Sequence, residues 1–221
     1  MSPLENRRPI KSRGSSWAQG LAATMARAGI APDVISAGSV MFAAAGAASL
    51  VISSLALDHR RSFALLVAAA CVQGRLVCNL LDGMVAVEFA RGSSAGPIWN
   101  ELPDRVADLL LLVAAGYAGA MLGWGLAEPL GWLAGALAIL TAYVRELGRG
   151  LGQPADFSGP MAKPHRMAAL TAICVISAGE PFWGGHGQVI LVGLGAIVAG
   201  TAWTVVRRVR RLAAGLAKKD A

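Results

Sequence analysis

One apolar segment of this chain ends with Asn79-Leu80-Leu81-Asp82-Gly83-Met84-Val85-Ala86-Val87. After a short polar loop, the next opens with Asn100-Glu101-Leu102-Pro103-Asp104-Arg105-Val106-Ala107-Asp108. Asn79 and Asp82 are three apart, and Asp104 and Asp108 are four apart. On helices each spacing puts both side chains on one face. Arg75 lies one turn before Asn79 on the same stripe, and Glu101 shares the face of Asp104 and Asp108. Gly83 has no side chain, so a ligand or a second helix can approach the backbone there. Carboxylates brought together repel one another unless cations sit among them, and hard oxygen donors suit Mg²⁺ or Mn²⁺. The stretch therefore predicts two helices whose ends meet around divalent cations.

The chain around this stretch is that of an integral membrane protein. Mean hydropathy is +0.55, and over 221 residues 55% are hydrophobic and 15% charged. Those values exclude an ordinary soluble domain. The three cysteines, Cys71, Cys78 and Cys174, sit singly in apolar runs, against a disulfide framework or a Cys-x-x-Cys metal site. Six apolar segments are predicted, at roughly 33–57, 62–87, 104–125, 129–149, 164–181 and 187–207, each near the length that crosses a hydrocarbon core. Before them, Trp17, Leu21 and Met25 form a stripe on a short helix over about 17–28. This is the signature of a helix lying in the membrane interface. The expected fold class is thus all-α integral membrane, with six transmembrane helices and an N-terminal interfacial amphipathic helix. Residues 1–29 form the N-terminal unit and residues 30–221 the membrane domain with its basic tail.

Charge sets the orientation. With both termini cytoplasmic, all of the 20 Lys and Arg except Arg60 and Arg61 lie at or near the inner face. A multi-pass protein of the cell's inner (cytoplasmic) membrane is expected. The net charge of +7 reads as affinity for anionic lipid, and Arg207-Arg208-Val209-Arg210-Arg211 with Lys218-Lys219 as a headgroup anchor. No aromatics interleave those cations, which argues against nucleic acid.

The motif residues resemble the CDP-alcohol phosphatidyltransferases, whose pattern is D-x₂-D-G-x₂-A-R followed by G-x₃-D-x₃-D. Asp82, Gly83, Ala86, Asp104 and Asp108 match. Asn79 stands at the first aspartate, Val87 at the arginine and Asn100 at the second glycine. The resemblance implies transfer of a phosphatidyl group from a CDP-activated lipid, usually CDP-diacylglycerol, to an alcohol, with release of CMP. It also implies two divalent ions, Mg²⁺ or Mn²⁺, among Asn79, Asp82, Asp104 and Asp108. Asp108 would be a metal ligand or the base that takes the acceptor's proton, and Gly83 and Ala86 would face the cytidine. Arg75 or Arg91 would replace the arginine lost at Val87, and Glu101 would supply the charge missing at Asn79. Arg145, Arg149, Lys163 and Arg166 would hold a phosphorylated acceptor such as glycerol phosphate or inositol phosphate, although positive-inside topology explains each of these cations equally well. A homodimer is expected on the same ground. Two other readings stay open: a cation transporter using the intramembrane carboxylates, and a family member whose catalysis has lapsed, for which Asn79 and Val87 speak.

Overall fold

The computed structural model describes residues 11–89 and 94–218. Arg91 lies outside them. Helix α1 spans Ser16–Arg27. Gly29 then adopts a left-handed φ of 76°, a conformation that costs glycine little. Pro32 opens α2, Pro32–Leu55, where its missing N–H would have had no helical partner. There follow α3, Asp58–Glu88, α4, Gly96–Met121, and α5, Ala127–Gly150. The last two are α6, Lys163–Ala178, and α7, Gln188–Ala217, with a single 3₁₀ turn, Glu180–Trp183, between them.

Helices α2 to α7 correspond one to one with the six predicted segments, and their boundaries differ most at the start of α4 and the end of α7. Helix α4 starts at Gly96, before the predicted 104, because Pro97 serves its first turn and the polar residues up to Glu101 continue the helix. Pro103 therefore lies inside the helix. Helix α6 stops at Ala178, and α7 runs ten residues past 207, carrying its arginines on helical turns. Among the described residues, α2, α3, α5 and α7 are long and apolar enough to cross a membrane. Helix α4 mixes Asp104, Arg105 and Asp108 into its apolar length, and α6 has only 16 residues.

Small residues draw the helices together. A Cβ built on Gly116 of α4 would stand 2.8 Å from the Ala127 carbonyl oxygen and 3.0 Å from the Gly131 Cα of α5. The two backbones touch, and only glycine fits. The main core joins Ala43, Ala47 and Leu50 to Leu65, Leu111, Leu112, Leu170 and Leu194. A second, smaller cluster seats α1: Ala18, Ala22 and Ala26 pack on Leu80, Leu81, Met84 and Val85 of α3. The alanine stripe is thus the protein-facing side, while Trp17 and Leu21 remain exposed.

At the end of the bundle where α6 gives way to α7, Arg61 and Glu180 form a buried pair at 2.5 Å. Glu180 also accepts hydrogen bonds from Ser177 Oγ at 2.7 Å and from the amides of Gly187 and Val189 at 2.8 and 2.9 Å. Burial acts to raise the Glu180 pKa, but the Arg61 guanidinium and these donors outweigh it and hold the group below its ordinary range. Arg61, an apparent exception to the charge asymmetry, is a tie between α3 and the α6–α7 connection.

Candidate functional site

The site forms where α3, α4 and α6 meet, with α2 behind. The four-residue spacing on α3 turns Arg75 and Asn79 toward α4, whose own four-residue spacing presents Asp104 and Asp108. Arg75 is fully buried. Its Nη2 lies 2.6 Å from Asp108 Oδ1 and 3.2 Å from Asp104 Oδ1. Arg166, one turn into α6, donates from Nη2 to Asp108 Oδ2 at 2.7 Å. Lys163, the first residue of α6, bonds Asp104 Oδ2. Asn79 donates its Nδ2 to Asp104 Oδ1 at 2.7 Å. Asp108 has no exposed surface. Its contact with Arg75 is an ion pair without hydrogen-bond alignment.

Asp82 stands one turn beyond Asn79. Its Oδ2 accepts from Ser36 Oγ of α2 at 2.6 Å, and its Oδ1 is buried without a well-formed hydrogen bond. Asp104 and Lys163 lie within electrostatic reach of it. Gly83 and Ala86 follow, both half-buried. Among the described residues no three His, Cys, Asp or Glu side chains stand close enough to hold a metal together. Asp104 and Asp108 are instead paired with the cations Arg75, Lys163 and Arg166, while Asp82 accepts from Ser36. A buried carboxylate is tolerable only when so paired.

The remaining expected cations lie apart. Arg145 bonds Glu101 at 2.5 Å and Glu146 at 2.8 Å, and stacks over the Phe157 ring. Glu101 also takes Arg105 at 2.7 Å. Glu101 is therefore committed to two arginines and does not supply the negative charge missing at Asn79. Arg149 is exposed and paired with Glu146. Arg145 borders a cavity of about 270 Å³ whose other walls include Asp156, Arg208 and Arg211. Arg208 donates to the carbonyls of Thr141 at 2.7 Å and Ser158 at 2.9 Å. This corrects the reading of the C-terminal basic run as a headgroup anchor throughout, since Arg208 turns inward. Burial acts to raise the Asp156 pKa, yet Ser158, Arg208 and Arg211 bring it below its ordinary value.

Ser36 and Arg208 were not legible as site residues. A serine in an apolar helix carries no signal of its partner, and one arginine in a basic run looks like its neighbours. The heptad-like spacing of Thr204, Arg208 and Arg211 on α7 was the one available hint.

The all-helical bundle that carries Asp-Gly on α3 and Asp-x₃-Asp on α4 is a known fold. Two crystal structures of Mycobacterium tuberculosis phosphatidylinositol phosphate synthase share it. The one with CDP-DAG bound aligns with a TM-score of 0.71 at 16% identity, over 90% of this chain and 94% of that one. The complex with manganese and citrate aligns with a TM-score of 0.68 at 17% identity, over 88% of each chain. No family model and no curated protein sequence matches this chain.

Proposed function

We propose that this protein transfers a phosphatidyl group from a CDP-activated lipid, CDP-diacylglycerol or a close analogue, to an alcohol and releases CMP. The observation that carries this reading is the meeting of the Asp-Gly and Asp-x₃-Asp residues with buried cations, in a fold shared by an enzyme that binds CDP-DAG. Six spans would leave this cluster at the inner leaflet of the cytoplasmic membrane, with α1 lying in the interface on its exposed Trp17 and Leu21.

A divalent ion would be held by Asp82 and Asp104, although among the described residues no three metal-capable side chains converge. Asp82 is 5% exposed, and its Oδ1 is a buried anionic oxygen with no aligned donor. Asp104, which acts on Asp82 electrostatically, would be a second hard ligand only after its bonds to Asn79, Arg75 and Lys163 give way. A bound ion would neutralise the diphosphate of the donor. The chain's own residues do the rest. In the reaction the acceptor oxygen bonds to the lipid phosphorus, the bond from that phosphorus to the CMP oxygen breaks with CMP as the leaving group, and the hydroxyl proton passes to a carboxylate of the site. Asp108, fully buried between two guanidinium groups, suits an anchor that aims Arg75 and Arg166. Asp104 has a side chain 13% exposed, and of the paired carboxylates on α4 it is the one an acceptor hydroxyl can approach. Gly83 and Ala86 leave room for the cytidine. Lys163 and Arg166, with Arg145 at the neighbouring cavity, supply charge for a phosphorylated acceptor.

The deciding experiment is CMP release by purified protein given CDP-diacylglycerol, Mg²⁺ or Mn²⁺ and a panel including glycerol phosphate and inositol phosphate. Turnover with at least one alcohol is expected. If none supports CMP release, the lapsed-enzyme reading takes over, which the bond from Asn79 Nδ2 to Asp104 already favours.

A further inference from the structure

Helices α2 and α3 pack closely at mid-length, where a Cβ on Gly46 would stand 3.1 Å from Cys71 Cβ. Toward their connection at Ala56-Leu57 they leave a groove of about 450 Å³, within the roughly 300–1,000 Å³ of small-molecule sites. Ser49, Ala56 and Ala64 line it with side chains too small to fill it, beside Ile52, Phe63 and Val67. Ile52 and Phe63 are 54% and 69% exposed. Both helices are long and apolar enough to cross a membrane, so this exposed surface faces hydrocarbon. A gap there forfeits dispersion contacts unless lipid occupies it. His59 and Arg60, in the first turn of α3, complete the lining. The two neighbouring arginines have different tasks. Arg61 is buried against Glu180, while Arg60 is exposed on the groove. A guanidinium at the end of an apolar slot matches a phosphodiester that carries an acyl chain.

We propose that the α2–α3 groove binds one membrane phospholipid of anionic headgroup, in the leaflet opposite the carboxylate cluster. An acyl chain lies along Ile52, Phe63 and Val67, and the phosphate meets Arg60. A zwitterionic headgroup would bring its own ammonium beside the guanidinium, a like charge, so the anionic lipid is preferred. This lipid is neither donor nor product of the transfer reaction. Arg60 precedes Arg75 by fifteen residues of one continuous helix, roughly 22 Å at the helical rise. Its effect is to fill the open end of the α2–α3 hairpin beside the buried tie of Arg61 to Glu180. The proposal rests on membrane insertion alone and stands whether or not CMP is released.

The test is photo-crosslinking. Full-length protein is reconstituted in phosphatidylcholine vesicles with a trace of phosphatidylglycerol that carries a diazirine in its acyl chain. After irradiation, adducts are mapped by peptide mass spectrometry. They are expected on the segment 49–67, where added unlabelled phosphatidylglycerol suppresses them and added phosphatidylethanolamine does not. Arg60→Ala lowers their yield by about fivefold, the worth of one basic residue against an anionic headgroup. Ser49→Phe, which fills the groove, removes them. Adducts on α7 serve as the reference and stay constant in both variants, whose folding is checked by thermal melting. Arg60→Ala changes only an exposed side chain, so it decides the matter if Ser49→Phe does not fold. Equal suppression by phosphatidylethanolamine, or an unchanged yield in Arg60→Ala, means lipid that merely solvates an apolar surface and overturns the proposal. Disulfide-linked dimers through Phe63→Cys, in a background without the native cysteines, would put a second copy in the groove and overturn it too.

Discussion

At the scale of single residues, the chain keeps charge inside a helical bundle only where each charge has a partner. Asp104 accepts from Asn79, Arg75 and Lys163 and keeps some exposure, so it stands at the mouth of the network. Asp104→Asn is expected to lower CMP release by about 100-fold or more, with little loss of fold, because a carboxamide still accepts a hydrogen bond from Arg75. An unchanged rate at saturating donor would separate Asp104 from the chemistry. Glu180 gives the contrasting case of a charge with a structural task. Its pKa is depressed in the fold, so its contribution to stability is fully present above about pH 4.3, the ordinary glutamate value. That contribution is lost as pH falls toward the folded-state value. Glu180→Gln leaves Arg61 buried and unpaired, and is expected to cost about 3–5 kcal/mol at neutral pH. Melting curves of wild type and variant should converge as the buffer is taken from pH 7 to below 4. A constant gap would mean that the carboxylate's charge is not what holds the α6–α7 connection.

At the scale of elements, hydropathy marked all six long helices because an apolar run of some twenty residues has few other readings. What it missed has physical causes. The start of α4 was hidden by Gly96-Pro97, a pair that reads as a loop until it is seen as a helical first turn. The packing side of α1 was not legible because alanine, weakly apolar by itself, seats a helix closely when three fall on one stripe: Ala18, Ala22 and Ala26. The site was legible as far as spacing goes, since Arg75, Asn79, Asp104 and Asp108 do share an interface. That Arg75 and Arg166 would close on Asp108 depends on where α6 lies against α3, and no local pattern encodes that. The α4–α5 contact is the sharpest test at this scale. Gly131→Leu places a side chain where a Cβ alone would meet the Leu112 carbonyl oxygen at 2.7 Å and Gly116 Cα at 2.8 Å. The helices must part, at an expected cost of about 1–3 kcal/mol or more, read as a lower melting temperature in detergent. The same change at Gly125, which has nothing within 4 Å, should be nearly silent.

At the scale of the whole molecule, the two charge networks lie on opposite halves of α3. Arg61 sits one turn from its start, and Arg75 to Asp82 lie along its C-terminal half. A transporter would need its charges near the midplane with broken helices around them. Here α3 is one continuous helix, and its carboxylate belongs to a cluster displaced toward one end. That polarity, with the arginines of α7 at the same end as the cluster, predicts an orientation that can be tested without assaying activity. Phe182 is 92% exposed in the α6–α7 connection, and Lys218 is exposed at the end of α7. In a background where Cys71, Cys78 and Cys174 are replaced by alanine or serine, Phe182→Cys should react with a membrane-impermeant maleimide in intact spheroplasts. Lys218→Cys should react only after the membrane is opened, because basic helix ends remain on the cytoplasmic side. The reverse pattern would put the carboxylates on the outer face, away from cytoplasmic CDP-linked donors, and the transfer reading would lose its supply of substrate.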